Sequence, residues 1–203
     1  MITTAARLLS WENGTDLVIE MPLPTDPATV WAKLVDGANA GAWFAPFTVT
    51  DDGAVSPEAT VDAGGAGAGT VDAGDEEPTA TIVFDLTETE LEGEILSCEP
   101  EDHVLVELDD FGVLGLRLNA VAGAADGGAG AGATSDSRDE STVLVFTQTA
   151  ADTESAHLLA SDHGPMWDTH LRLFAHSLGF EFAEVDEDAL TARYSALDVE
   201  EQR

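Results

Sequence analysis

The stretch HGPMWDTHLRLFAHSLGF, residues 163–180, indicates one amphipathic helix. Its large apolar residues recur at i, i+4, i+7 and i+11, and therefore share one helix face: Trp167, Leu171, Phe174 and Leu178. Pro165 is predicted to lie in the first turn, and Gly179 fits the left-handed position that follows a helix. The sequence therefore predicts a helix over 163–178 that buries one apolar face.

The same stretch holds three of the five histidines of the chain, but their spacing does not indicate a metal site. Two histidines that share a metal on a helix prefer i, i+4 spacing, whereas His163 and His170 are seven residues apart. We interpret these histidines and His176 as structural or surface residues, and predict neither a metal nor a cofactor. Because His170 lies beside the apolar face, it is also a candidate to border a cavity.

Upstream of this helix, the chain shows a series of strand patterns. Apolar alternation bounded by turn signals predicts strands over 16–21, 79–86, 90–98, 103–108, 112–121 and 141–149. A helix is predicted to begin at Pro27, where Thr25 or Asp26 can cap it, and a second short helix or turn follows over 39–44. This order favours an α+β fold with an antiparallel meander.

Two acidic segments rich in glycine and alanine interrupt the strand series, at about 51–78 and 122–140. Their composition cannot support a packed core, and the first lacks the lysine and spacing of a phosphate-binding loop. We interpret both as insertions between strands. Residues 1–180 are predicted to form a single domain, and 181–203 an acidic C-terminal extension with a short external element followed by disorder.

The charge of the chain limits its partners. Forty acidic residues face seven basic ones, giving a formal net charge of −33. Such a surface repels nucleic acid and anionic membranes, so neither is predicted as a partner. Self-repulsion should destabilise the compact state at low ionic strength, and salt should screen it. This composition resembles that of proteins from salt-accumulating halophiles; an acidic surface that docks a basic partner is the less favoured alternative.

Location and redox chemistry follow from what the sequence lacks. No apolar run reaches the length of a membrane span, and the N-terminus does not have the pattern of a secretory signal, so a cytoplasmic location is predicted. Cys98 is the single cysteine, which excludes an internal disulfide and a cysteine-rich zinc site.

Five short motifs resemble, in order, the helix-grip fold of the START-like (SRPBCC) superfamily. They are PATVWAKL at 27–34, Trp43-Phe44, GEILSCEP at 93–100, TVLVFTQ at 142–148, and HGPMW at 163–167 with the leucines that follow it. The branch that they resemble is the one similar to the C-terminal domain of the activator of the heat-shock-protein-ninety ATPase. The chain departs from that branch in its two acidic insertions and at Pro165-Met166, where the pattern has glycine directly before tryptophan. The resemblance implies a curved antiparallel sheet that grips the long helix, with two short helices after the first strand and an apolar cavity between helix and sheet.

The resemblance also implies which residues face that cavity. The candidates are Trp31, Trp43, Phe44, Phe84, Phe111, Arg117, Phe146, Trp167, His170, Leu171 and Phe174. Arg117 and His170 are the candidate polar anchors for a ligand. The sequence has no G-x-S-x-G motif, no convincing Ser-His-Asp order and no Cys-His pairing, so no catalytic residue is predicted.

Three functions remain open at this stage. The first is a module that binds a small apolar or amphipathic ligand in the cavity. The second is a cochaperone-like protein that acts on a chaperone ATPase. The third, less favoured, is a cyclase-like enzyme that acts on a polyketide- or lipid-like substrate. A cavity large enough for a ligand favours the first and the third, whereas a filled core beside an exposed apolar groove favours the second. The sequence does not predict the oligomeric state.

Overall fold

A single, mostly antiparallel sheet dominates the computed structural model, which describes residues 2–51, 80–122, 140–182 and 185–201. Its strands are β1 Ala5–Trp11, β2 Gly14–Leu23, β3 Phe47–Asp51, β4 Ala80–Asp85, β5 Glu90–Glu99, β6 His103–Leu108, β7 Gly112–Ala122, β8 Glu140–Ala150 and β9 Val199–Glu201. The helices are α1 Pro27–Leu34, a 3₁₀ helix Gly37–Ala42, α2 Thr153–Ser177 and α3 Glu187–Ser195. The described part of the chain therefore has the strand, helix pair, meander and long helix that the sequence predicts.

The nine described strands are ordered β3-β4-β5-β6-β7-β8-β2-β1-β9 across the curved sheet. Neighbours are antiparallel except β1 and β9, which are parallel. Since side chains alternate across a strand, the sheet has an inner face with the buried apolar residues and an outer face. Helix α2 packs on the inner face over β2 and β8. The hydrophobic core lies between these two layers.

The first strand of the sheet was missed by the sequence analysis. The pattern predicts that the first strand begins at residue 16, but β1 precedes it and pairs with β2 through Trp11 and Gly14. The residues between them, Glu12 and Asn13, make a two-residue hairpin turn. Asn13-Gly14 is a strong hairpin signal, and the residues before it form the partner strand.

Helix α2 begins ten residues earlier than predicted. Its N-cap is Asp152, whose side chain accepts a hydrogen bond from the Ser155 amide. Pro165 therefore lies inside the helix and not in its first turn. The prediction was wrong because proline is disfavoured in a helix interior; the packing of the whole 25-residue helix against the sheet outweighs that cost. No described helix, α2 included, combines the length and the apolar character that crossing a membrane requires.

The segment after residue 180 is structured where the structure describes it. Helix α3 packs on α2, and β9 extends the sheet beside β1, with Leu8 paired to Val199. Tyr194 of α3 is fully buried. Helix α3 corresponds to the predicted short element, whereas the predicted disorder is wrong for residues 199–201, which form β9. The predicted insertions lie outside the described residues, apart from the strand ends at Asp51, Ala122 and Glu140.

Candidate ligand cavity

An apolar cavity of about 80 Å³ lies between α2 and the inner face of the sheet. Its walls are Trp43, Phe44, Phe84, Val104, Val106, Leu108, Leu114, Leu116, Phe146, Trp167, His170 and Leu171. An engineered apolar cavity of roughly 150 Å³ takes up benzene. The cavity seen here has about half that volume, so a single ring enters it only when the wall side chains move apart.

Aromatic rings in edge-to-face and tilted contact form the wall on the helix side. The ring centre of Phe44 lies 5.1 Å from those of Phe84 and His170 and 5.8 Å from that of Trp167. Trp167 in turn lies 5.0 Å from Phe146. These separations fall in the favourable range for aromatic pairs. The cavity therefore has a continuous aromatic wall from the 3₁₀ helix region across α2 to β8.

Two of the wall residues carry polar groups, although the surface that faces the cavity is almost entirely apolar. The His170 Nδ1–H donates to the Trp43 carbonyl oxygen at 2.7 Å, which leaves Nε2 of the neutral ring as an acceptor. The indole Nε1 of Trp43 is buried and has no hydrogen-bond partner among the described residues. A buried donor without a partner costs about 1–3 kcal/mol.

The structure places seven of the eleven sequence-predicted candidates in the cavity wall: Trp43, Phe44, Phe84, Phe146, Trp167, His170 and Leu171. Their role in ligand binding stays a prediction. Phe174 lies behind Trp43, edge to face at 5.1 Å, and Phe111 packs against Trp167 and His163. Trp31 is a partly buried residue at the edge of the core.

Arg117 does not point to this cavity, so its predicted role as a polar anchor is wrong. It lies on the outer face of β7, with 57% of its side chain exposed. The alternation that places Leu114, Leu116 and Leu118 inside places Gly115 and Arg117 outside. This alternation is visible in the sequence and excludes Arg117 from the inner face.

Gln148, which the sequence analysis missed, orients Trp167. The indole Nε1–H of Trp167 donates to the Gln148 side-chain oxygen at 2.9 Å, and the Gln148 amide donates to the Phe111 carbonyl at 2.8 Å. Gln148 is fully buried on β8, in the inward series of Leu144 and Phe146. A polar residue at an inward strand position was the available signal, because such residues need partners.

A buried polar cluster joins α2, α3 and the segment before β1. Asp168 is completely buried, and its carboxylate accepts hydrogen bonds from Thr4 at 2.7 Å and Tyr194 at 2.8 Å, as well as from Arg172 and Arg193. Burial, followed by the charge of Asp168, raises the pKa of Tyr194, so its hydroxyl remains a donor. This cluster, absent from the sequence predictions, fixes α3 against α2 behind the cavity.

A second polar cluster lies on the outer face, where β5 turns into β6. The hydroxyl of Ser97 is 2.9 Å from His103 Nε2, and His103 Nδ1 is 2.5 Å from the Asp102 carboxylate. The sequence analysis found no convincing Ser-His-Asp order and did not single out these three residues. The signal was weak because the order Ser-Asp-His spans only seven residues, and a hairpin must bring them together.

Comparison with known proteins supports the fold. No family model and no curated protein matches the chain. Among solved structures, a conserved protein of unknown function from Enterococcus faecalis is 14% identical, with a TM-score of 0.56 over 93% of this chain and 87% of that one. The solution structure of CalU16 from Micromonospora echinospora is 11% identical, with a TM-score of 0.55 over 95% and 91%. A protein from Bordetella parapertussis is 16% identical, with a TM-score of 0.51 over 94% and 89%.

These similarities, together with the curved sheet and the long helix, confirm the predicted fold class. The chain has the α+β helix-grip architecture. Sequence identities this low show a shared fold and nothing more, and a shared fold does not determine an activity.

Proposed function

We propose that this protein binds a small, mostly apolar molecule in the cavity between α2 and the sheet. The observation that carries the proposal is the apolar cavity itself, one of whose wall residues, Trp43, has a buried Nε1–H without a partner among the described residues. Pockets for small molecules combine an apolar lining with a few placed polar groups. Trp43 Nε1 as donor and His170 Nε2 as acceptor supply these groups here.

The position of His170 supports an amphipathic ligand. His170 borders the cavity and also an outer groove between α2 and α3, where Thr169, Leu190 and Thr191 lie. The groove is far larger than the cavity, at about 550 Å³. An apolar group bound in the cavity would have its polar end beside His170 and reach the groove. The ligand class that we propose is therefore a molecule with a small apolar group and one polar end.

Phenol is a suitable probe, since it is a single ring whose hydroxyl can accept from Trp43 and donate to His170.

Enlarging Val106, a wall residue on the inner face of β6, is expected to weaken phenol binding. In Val106→Phe the added ring enters the cavity, so the dissociation constant should rise at least about tenfold, or about 1.4 kcal/mol. Isothermal titration at high salt measures this change.

The matched control is Val83→Phe, the same substitution on the outer face of β4, opposite the buried Ile82 and Phe84. It should leave phenol affinity unchanged. Equal weakening in both variants, or no phenol binding by the wild-type protein, would contradict the proposal.

The donor role of Trp43 gives a second prediction. Trp43→Phe keeps an aromatic ring but removes the Nε1–H, so phenol affinity should fall by about fivefold, the worth of one neutral hydrogen bond. Benzene has no oxygen and serves as the control ligand, and its affinity should not fall. The ratio of the two dissociation constants is the measurement. An unchanged ratio would show that Trp43 makes no hydrogen bond to the ligand.

A cochaperone-like function is the second candidate, and the small volume of the cavity favours it. At about 80 Å³ the core is nearly filled, as expected of a fold that binds a protein and not a ligand. The motifs that resemble the activator branch, Pro27–Leu34 and Trp43-Phe44 among them, lie on α1 and at the end of the 3₁₀ helix. The test is the ATPase rate of the heat-shock-protein-ninety chaperone with and without this protein. A raised rate together with no phenol binding would favour this function over the first.

A further inference from the structure

We infer that Ser97, His103 and Asp102 form a nucleophile, base and orienting acid that hydrolyse small neutral esters on the outer face of the sheet. This activity is separate from the cavity proposal, because the two sites lie on opposite faces of the sheet. The inference rests on four features of the structure: the bulge that places Ser97, the chain of hydrogen bonds, the adjoining pocket and the Arg117 cation.

A β-bulge brings Ser97 to the outer face. Ile95 pairs with Val106 on the inner face, but the register then shifts by one residue, and Ser97 pairs with Leu105 on the outer face. Without this shift, Ser97 would point the same way as Ile95, because residues two apart on a strand share a face. Bulges re-aim side chains in this way and occur frequently beside active sites.

The hydrogen bonds fix the role of each group. A carboxylate only accepts, so the proton of the Asp102–His103 contact at 2.5 Å lies on Nδ1 of the histidine. Nε2 of the neutral ring is then an acceptor, and the Ser97 hydroxyl donates to it at 2.9 Å. A nucleophile bonded to a base that a third group orients is the geometry that recurs in hydrolases on unrelated folds.

A pocket of about 350 Å³ adjoins the triad and defines the substrate class. Leu105 and Val145 supply aliphatic walls, and Gly115 supplies depth, since a Cβ there would lie 2.5 Å from the Thr147 hydroxyl. Such a pocket suits a short aliphatic acyl group. The net charge of −33 repels anionic substrates, so the substrate is a neutral ester.

Arg117 provides positive charge beside the triad. It is the direct cross-strand partner of His103, and its guanidinium lies 3.9 Å from the Asp102 carboxylate. It also lines the pocket, where it is available to the oxyanion that forms as an ester is attacked. Stabilisation of that charge is usually a large part of the catalysis of acyl transfer.

The reaction proceeds in two balanced steps. Ser97 Oγ attacks the ester carbonyl carbon while His103 Nε2 takes the hydroxyl proton; the C–O bond to the alcohol then breaks, and the alcohol leaves with that proton. A water molecule, deprotonated by the same Nε2, attacks the acyl-serine. The bond between the acyl carbon and Ser97 Oγ breaks, the proton returns to Ser97, and a carboxylic acid is released. Ester and water are thus converted to acid and alcohol with no co-reactant.

The ligand atoms of Glu99, Asp102 and His103 lie within 4.8 Å of one another, a grouping that a divalent cation could also use. The hydrogen bonds favour the triad, because both ring nitrogens of His103 are already engaged. A metal on Nδ1 would displace Asp102, and a metal on Nε2 would displace Ser97. Metal-dependent hydrolysis is therefore the competing outcome of the test.

The test is hydrolysis of p-nitrophenyl butyrate by the full chain at high salt, with the rate compared across variants. Ser97→Ala and His103→Gln should each lower the rate at least about 100-fold, and Arg117→Gln by about 10-fold or more. Ser97 is exposed, so its variant is expected to keep the fold, which circular dichroism checks. His176→Gln, an exposed histidine on α2, is the control for non-specific imidazole catalysis and should leave the rate unchanged.

Mass spectrometry after treatment with a fluorophosphonate should find the adduct on Ser97, with labelling lost in His103→Gln. Three results would overturn the inference. They are hydrolysis by the wild-type protein no faster than in buffer, a rate that survives Ser97→Ala, and a rate that EDTA abolishes. The last of these would assign the cluster to a metal ion.

Discussion

Replacing Asp168 with asparagine is expected to lower the free energy of unfolding by about 2–4 kcal/mol. The substitution conserves shape but removes a charge that is completely buried. Arg172 and Arg193 would then share their site with a neutral amide, and its NH₂ group would face donors of Thr4 or Tyr194. Removing one partner of a buried ion pair is costly because the other keeps its desolvation penalty. The lower end of the range reflects the partial exposure of both arginines.

Urea unfolding at a fixed high salt concentration measures this loss. The matched control is Asp162→Asn, an exposed acid one and a half turns earlier on α2, which should change stability by less than about 0.5 kcal/mol. Helix α3 should also pack less tightly in the variant, because three of the four partners of Asp168 lie outside α2. An Asp168→Asn protein as stable as wild type would show that the cluster contributes no net stability.

Replacing Gly164 with alanine is expected to destabilise the protein, although the same change stabilises most helices. A helix interior gains about 1 kcal/mol when alanine replaces glycine. At residue 164, however, a Cβ would lie 2.2 to 2.8 Å from three ring atoms of Tyr194. Tyr194 is fully buried and its hydroxyl is bonded to Asp168, so the ring cannot turn away. Helix α3 must move outward, at a net cost of about 1–3 kcal/mol.

Ser161→Ala, a position in the same helix that lines the outer groove, is the control for helix propensity and should be neutral or slightly stabilising. Limited proteolysis adds a local readout, because a displaced α3 should be cleaved faster within 187–195 in Gly164→Ala. Higher stability of Gly164→Ala, without faster cleavage, would mean that the approach of Tyr194 to α2 is loose in solution.

Sequence patterns predicted the meander and the apolar face of α2 because both depend on local alternation. Leu114, Leu116 and Leu118 follow the period of a strand, and Trp167, Leu171 and Phe174 follow that of a helix. These periods also placed most of the cavity wall. The start of α2 was missed because Pro165 suggested a first turn, whereas the cap at Asp152 was the correct boundary.

The residues that escaped prediction depend on contacts between distant parts of the chain. In the sequence, Asp168 is one of forty acidic residues and does not stand out from the others. Only the packing of α3 and Thr4 against it shows that it is buried. Ser97 faces His103 because of a single bulge, and a one-residue register shift leaves no reliable mark in a sequence. The unpartnered indole of Trp43 likewise follows from three-dimensional packing alone.

The parallel pairing of β1 with β9 sets an order of events during synthesis. Leu8 pairs with Val199, so β1 has no neighbour on that side until the ribosome has made almost the whole described chain. Through that interval β1 presents an open sheet edge, and Asp168 lacks Tyr194 and Arg193. Open edges of this kind invite pairing with other chains. The nascent protein therefore passes through a late stage in which α2 is complete but Asp168 lacks its partners on α3. That stage ends when residues 187–201 have been synthesised and have packed.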